Sequence, residues 1–144
     1  MYQTLFSVHS FIAYAALGLL VLASINAIAG LLSKKLFTSR DRSISLIALI
    51  VCHIQLLVGL ILYFVSEKGF KAFSIEGAMK NPELRLTMLE HPLINIIALV
   101  FITIGWSKHK KEESNNGKFK KIAVLYSIGL ILILSRLPWA SWLN

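Results

Sequence analysis

At 144 residues, with 56% hydrophobic and only 15% charged, the chain is far more apolar than a soluble domain, in which about 25% of residues are charged. The net charge of +8 would suit nucleic acid in a soluble protein, but here the basic residues fall between apolar stretches, which excludes that partner and predicts a membrane orientation instead. The single cysteine, Cys52, excludes an internal disulfide and any CxxC metal site.

A transmembrane helix needs about 20 mainly apolar residues, and the sequence offers four such segments in one integral membrane domain spanning 1–144: Leu5–Leu32, Ile44–Val65, Pro82–Trp106 and Ile122–Leu137. The first has no Lys or Arg before it, so it reads as a retained helix rather than a cleaved leader. It carries His9, then Ala13 and Ala16 at helical spacing, small residues that let helix backbones approach closely. The connection LLSKKLFTSRDRS is short, which predicts that helices one and two are antiparallel neighbours.

The second helix carries Cys52, His53 and Gln55 in a run with no charge between Arg42 and Glu67. At about 1.5 Å rise per residue, His53 lies near the bilayer midplane, while His9 and His91 share a level about 6–8 Å below the outer surface. The second connection places Phe70, Phe73, Ile75 and Met79 among Lys and Glu residues, which suits a short interfacial segment.

The third helix opens at Asn81-Pro82-Glu83, an asparagine cap followed by a proline that needs no amide partner. From His91 the helical period picks out Asn95, Ala98, Ile102 and Gly105, whereas Leu93, Ile96, Ile97 and Val100 lie off that stripe. The polar and small stripe is expected to face protein. Pro92 removes the amide that would bond the carbonyl of Met88 and is expected to disturb the helix there. The third connection, SKHKKEESNNGKFKK, reads as a solvated turn with His109 in water and Trp106 at the interface. The last helix presents Tyr126, Gly129, Ile133 and Arg136 on one side and closes on Pro138, Trp139 and Trp142.

Ten basic residues lie in the first and third connections, against five in the second connection and at the C-terminal end. By the positive-inside rule the first and third connections are cytoplasmic and both termini lie outside. The expected fold is therefore all-α, a four-helix transmembrane bundle running up-down-up-down.

Ionisable groups inside a membrane are costly and mark functional sites by default. Two histidines on different helices at one depth suit axial ligation of a haem, so His91 with either His9 or His53 is the candidate pair for haem iron. Arg136 is a candidate partner for a haem propionate, and Glu90 a candidate to hydrogen-bond a ligand imidazole or exchange a proton. Ala13, Ala16, Ala98 and Gly129 would leave room for a flat macrocycle. The competing reading is that these histidines only hydrogen-bond between helices. If one haem bridges helices two and three, losing His91 or His53 is more damaging than losing His9; equal depth instead pairs His9 with His91. No residue is singled out as catalytic.

The segments VHSFIAY, CHIQLLVGLILYF and MLEHPLINIIALVFITIG, with a closing LPW, resemble small bacterial four-helix membrane proteins often labelled cytochrome B. The resemblance implies a b-type haem or a quinone-linked role, with His9, His53 and His91 as the matching histidines. A fourth histidine of that pattern is replaced here by Trp106. The expected function is thus haem-based electron transfer or quinone-linked redox chemistry in a bacterial inner membrane. The alternative is a cofactor-free anchoring subunit that associates with lipid and with other membrane subunits or copies of itself.

Overall fold

Four long helices carry the chain: α1 (Tyr2–Ser33), α2 (Ser39–Val65), α3 (Pro82–Lys111) and α4 (Asn115–Ser135), followed by a single turn, α5 (Trp139–Trp142). The computed structural model describes residues 1–143, and no strand is present among them. α1, α2 and α3 are long and apolar enough to cross a membrane. α4 is less uniformly apolar because Lys118, Lys120 and Lys121 occupy its first turns.

The connections show which ends meet. Near one end the Asn26 amide donates to Asp41 Oδ1 at 2.9 Å, and near the other Gln55 Nε2 donates to the His9 carbonyl at 2.8 Å, so α1 and α2 are antiparallel neighbours as expected. The Phe37 amide donates to Asn115 Oδ1 at 2.9 Å, which brings the first connection to the start of α4 at a lysine-rich end. The start of α3 meets the end of α4 at the opposite end, where His91 Nδ1 lies 2.8 Å from the Arg136 carbonyl. Between these ends the Tyr126 hydroxyl donates to the Ser45 carbonyl at 2.8 Å, joining α4 to α2 through the core.

That core is built from Leu20, Ala23 and Ala27 of α1, Ala48 of α2, Ile102 of α3 and Phe119, Ile122 and Tyr126 of α4. The stripe read from His91 is confirmed. Ala98, Ile102 and Gly105 are buried, whereas Leu93, Ile96, Ile97 and Val100 are exposed. Gly129 shows what the small residues do, since a Cβ there would lie 2.6 Å from Ile102 Cγ1 and 3.0 Å from the Ala98 carbonyl oxygen. Close helix approach of this kind depends on residues without bulk.

The helices run further than their apolar cores. α2 begins at Ser39 instead of Ile44 because Thr38 and Asp41 form a capping box that satisfies its first amides. Asp41 is 1% exposed and also accepts from Asn26 and from Lys35 Nζ, at 2.9 and 3.3 Å. α4 begins at Asn115 because the Ser114 hydroxyl accepts from the Gly117 amide. The third connection is therefore reduced to Glu112–Ser114, and most of the expected turn is helix.

His109, expected in water, is only 1% exposed. It packs on Trp106 with ring centres 4.5 Å apart, and its Nδ1 hydrogen-bonds the Trp106 carbonyl. Trp106 is itself buried, with the Arg42 guanidinium 5.2 Å from its ring centre. Aromatic stacking and a cation over the indole face draw these residues inward, an outcome hidden in a lysine-rich segment.

Candidate functional site

Pro92 sets up the site. Because it has no amide, the carbonyl of Met88 cannot be satisfied within the helix. α3 responds with a π-helical stretch over Leu86–Glu90, in which the His91 amide bonds back to the Leu86 carbonyl, and the freed Met88 carbonyl accepts from the Tyr63 hydroxyl of α2 at 2.8 Å. Single-turn π segments of this kind recur at functional sites because they re-aim the side chains that follow. The residue that follows is His91. Tyr63 was not singled out in the sequence, although a proline that frees a carbonyl is itself a signal that a donor must come from another helix.

His91 is held firmly. A carbonyl oxygen only accepts, so the 2.8 Å contact with Arg136 places the imidazole proton on Nδ1 and leaves the lone pair on Nε2. Asn95, one turn on, donates to the His91 carbonyl at 2.6 Å. His9 faces this ring from α1, with ring centres 6.3 Å apart and planes at 84°. Its Nδ1 is buried and has no hydrogen-bond partner among the described residues, so Ser7 and Ser10 do not satisfy it. Gly59 of α2 makes the position possible, since a Cβ there would stand 2.9 Å from His9 Cε1.

Both histidines line a cavity of about 440 Å³ formed by α1, α2, α3 and the end of the chain. Its wall includes Ala13 and Ala16, two of the small residues expected to leave room, and Cys52. Gln55 reaches it too; its Oε1 is a second buried atom without a partner. Pro138 and Trp142 close one side, with Trp142 stacked on Tyr14 at 4.8 Å between ring centres.

The remaining candidates lie elsewhere. His53 is not brought to the cavity: it is exposed on α2, with Nδ1 bonded to the Leu49 carbonyl at 2.8 Å. Cys52, its neighbour in sequence, takes the inward position because successive helical residues point about 100° apart. Arg136 supplies its backbone carbonyl to His91, while its guanidinium lies 3.9 Å from Glu90 and donates to the Ser135 carbonyl. Glu90 is engaged with Arg85 at 3.1 Å as well, so it bridges two arginines and neither it nor Arg136 lines the cavity. Ala98 and Gly129 are used in packing α3 against α4.

An ionic metal site is not assembled here: no group of three or more His, Cys, Asp or Glu side chains suited to a metal ion occurs among the described residues. The class defined by fold and site is thus an all-helical protein, with three helices able to cross a membrane and a histidine pair facing an apolar interhelical cavity. No known family model, curated protein or solved structure matches this chain.

Proposed function

We propose that the chain is a four-helix membrane protein of a bacterial inner membrane, binding one b-type haem between His9 and His91 and serving electron transfer or quinone-linked redox chemistry. The observation that carries this reading is the facing pair of imidazoles at 6.3 Å on the wall of one cavity. Two imidazole nitrogens each about 2 Å from a shared metal, with each ring centre about 1 Å behind its nitrogen, put those centres roughly 6 Å apart.

The residues also fit the group in other respects. A macrocycle brings its own equatorial nitrogens, so two protein ligands suffice where a bare ion would need more. His91 is anchored through Nδ1 by the Arg136 carbonyl, and His9 has a buried ring nitrogen in want of a partner among the described residues. The volume lies within the range of about 300–1,000 Å³ usual for cofactor pockets. When bound, the haem supplies a one-electron redox centre; the chain's own part is to hold two imidazoles and keep water from the apolar wall.

In a bilayer, the exposed apolar residues of the helices, such as Phe11, Ile25, Leu57 and Ile131, would meet lipid tails. The lysine-rich end would lie in the cytoplasm and both termini outside, following the distribution of basic residues. A haem titration of protein purified in detergent tests the function. One haem per chain and a sharp, split α-band on reduction are expected; no uptake of haem would overturn the reading.

A cofactor-free anchoring subunit is the second reading, and one observation favours it. His53 puts a polar ring on an otherwise apolar exposed face bearing Ile50, Ile54 and Leu57, which a neighbouring membrane subunit or second copy would cover. Failure of the haem titration, together with co-migration of the chain with larger membrane partners, would favour this alternative.

A further inference from the structure

The cavity wall is unevenly charged. Lys68 is its one Lys or Arg residue and no Asp or Glu lines it among the described residues, so the ammonium has no countercharge within the site. Five other basic residues are ion-paired, Lys35 with Asp41, Lys71 with Glu67, Lys121 with Glu112, and both Arg85 and Arg136 with Glu90; Lys68 is exposed and, like the remaining nine, has no such pair among the described residues, but it alone of the fifteen lines the cavity. No acceptor for Lys68 Nζ occurs among the described residues, while its backbone amide is fixed by the Ser66 hydroxyl at 3.0 Å.

Its place in the fold is equally specific. Lys68 lies just beyond α2, at the end of the cavity where Tyr2 and Gln3 of α1 also contribute. Tyr2 precedes His9 by seven residues, about 10 Å along the helix axis. The mouth thus offers a cation, a phenol and an amide at one side of the imidazole level, while the wall at that level is largely apolar. An uncompensated cation at the mouth of an apolar cavity selects an anionic group at one end of the ligand.

We infer that the cavity takes its ligand with a carboxylate end at this mouth, held by Lys68. The inference rests on the haem reading, since the carboxylates are those on one edge of an iron protoporphyrin. It moves the propionate partner from Arg136, which is engaged by Glu90 outside the cavity, to a lysine that is free to serve. Tyr2 and Gln3 supply neutral donors beside it.

The test is a comparison of two probes, haem and haem dimethyl ester, which differ only in having free or blocked carboxylates. Each is titrated into the full-length protein in detergent and followed by the absorption change on binding. The wild-type protein is expected to bind haem at least tenfold more tightly than the ester. In Lys68→Gln that preference falls towards unity, with ester binding unchanged, and Lys68→Arg restores it. An undiminished preference in Lys68→Gln overturns the assignment, as does equal binding of both probes by the wild type. In both of those cases the histidine-pair reading survives. Binding of neither probe defeats the haem reading itself, and this inference with it.

Discussion

His9→Ala and His91→Ala are each expected to abolish stable haem binding, while His53→Ala is expected to leave it intact. Loss of an axial nitrogen is expected to cost more than the roughly 10- to 100-fold in affinity that follows removal of a supporting contact around a metal. The two ring centres lie 6.3 Å apart on the cavity wall, whereas the His53 ring is turned to the exposed face and bonded to its own helix. Titration of the three variants with haem in detergent checks this. Equal losses for His53→Ala and His91→Ala, with His9→Ala unaffected, would instead place the cofactor between α2 and α3. If all three variants behave as wild type, the histidines are packing residues.

Asp41→Ala is expected to destabilise the protein by about 2–4 kcal/mol, the largest effect on stability outside the cavity. The carboxylate, 1% exposed, accepts from the Thr38 amide and hydroxyl at 2.9 and 3.0 Å, the Asn26 amide at 2.9 Å and Lys35 Nζ at 3.3 Å. Removing it takes away the cap of α2 and leaves the Asn26 amide without its acceptor where α1 meets α2. Denaturant unfolding of the variant in detergent micelles measures the loss, with haem affinity as a control expected to change little. A change below about 0.5 kcal/mol would mean that water replaces these contacts, as it does at ordinary surface positions.

Much of the helical layout was legible in the sequence because apolar run length and basic connections are coarse signals that packing does not override. The stripe through Ala98, Ile102 and Gly105 was legible for the same reason: period 3.6 sorts small residues from large ones before any contact is known. Helix ends were less visible. Polar caps at Thr38 and Ser114 carried α2 and α4 beyond their apolar cores.

For the site, shared depth pointed to His9 with His91, but depth along a helix says nothing about the direction in which a side chain points. His53 and Cys52 differ by one residue, and that single step exchanges an exposed position for one on the cavity wall. Arg136 and Glu90 were recognisable as charges near the cavity's level, yet their pairing with one another and with Arg85 depends on how α3 and α4 meet. Tyr63, Gly59 and Lys68 acquire their roles only through contacts or placement across helices: a hydroxyl on the carbonyl freed by Pro92, the absence of a Cβ beside His9, and a cation at the cavity mouth.

The central claim, that His9 and His91 share one iron, is tested most directly by low-temperature electron paramagnetic resonance of the oxidised, haem-loaded protein. Two imidazole ligands make ferric haem low-spin, and ring planes held near the observed 84° leave its d orbitals almost degenerate, which produces a strongly anisotropic low-spin signal. That signal, lost in both His9→Ala and His91→Ala, is the predicted result. A high-spin signal from the wild-type protein, or a low-spin signal that survives either substitution, would contradict the account.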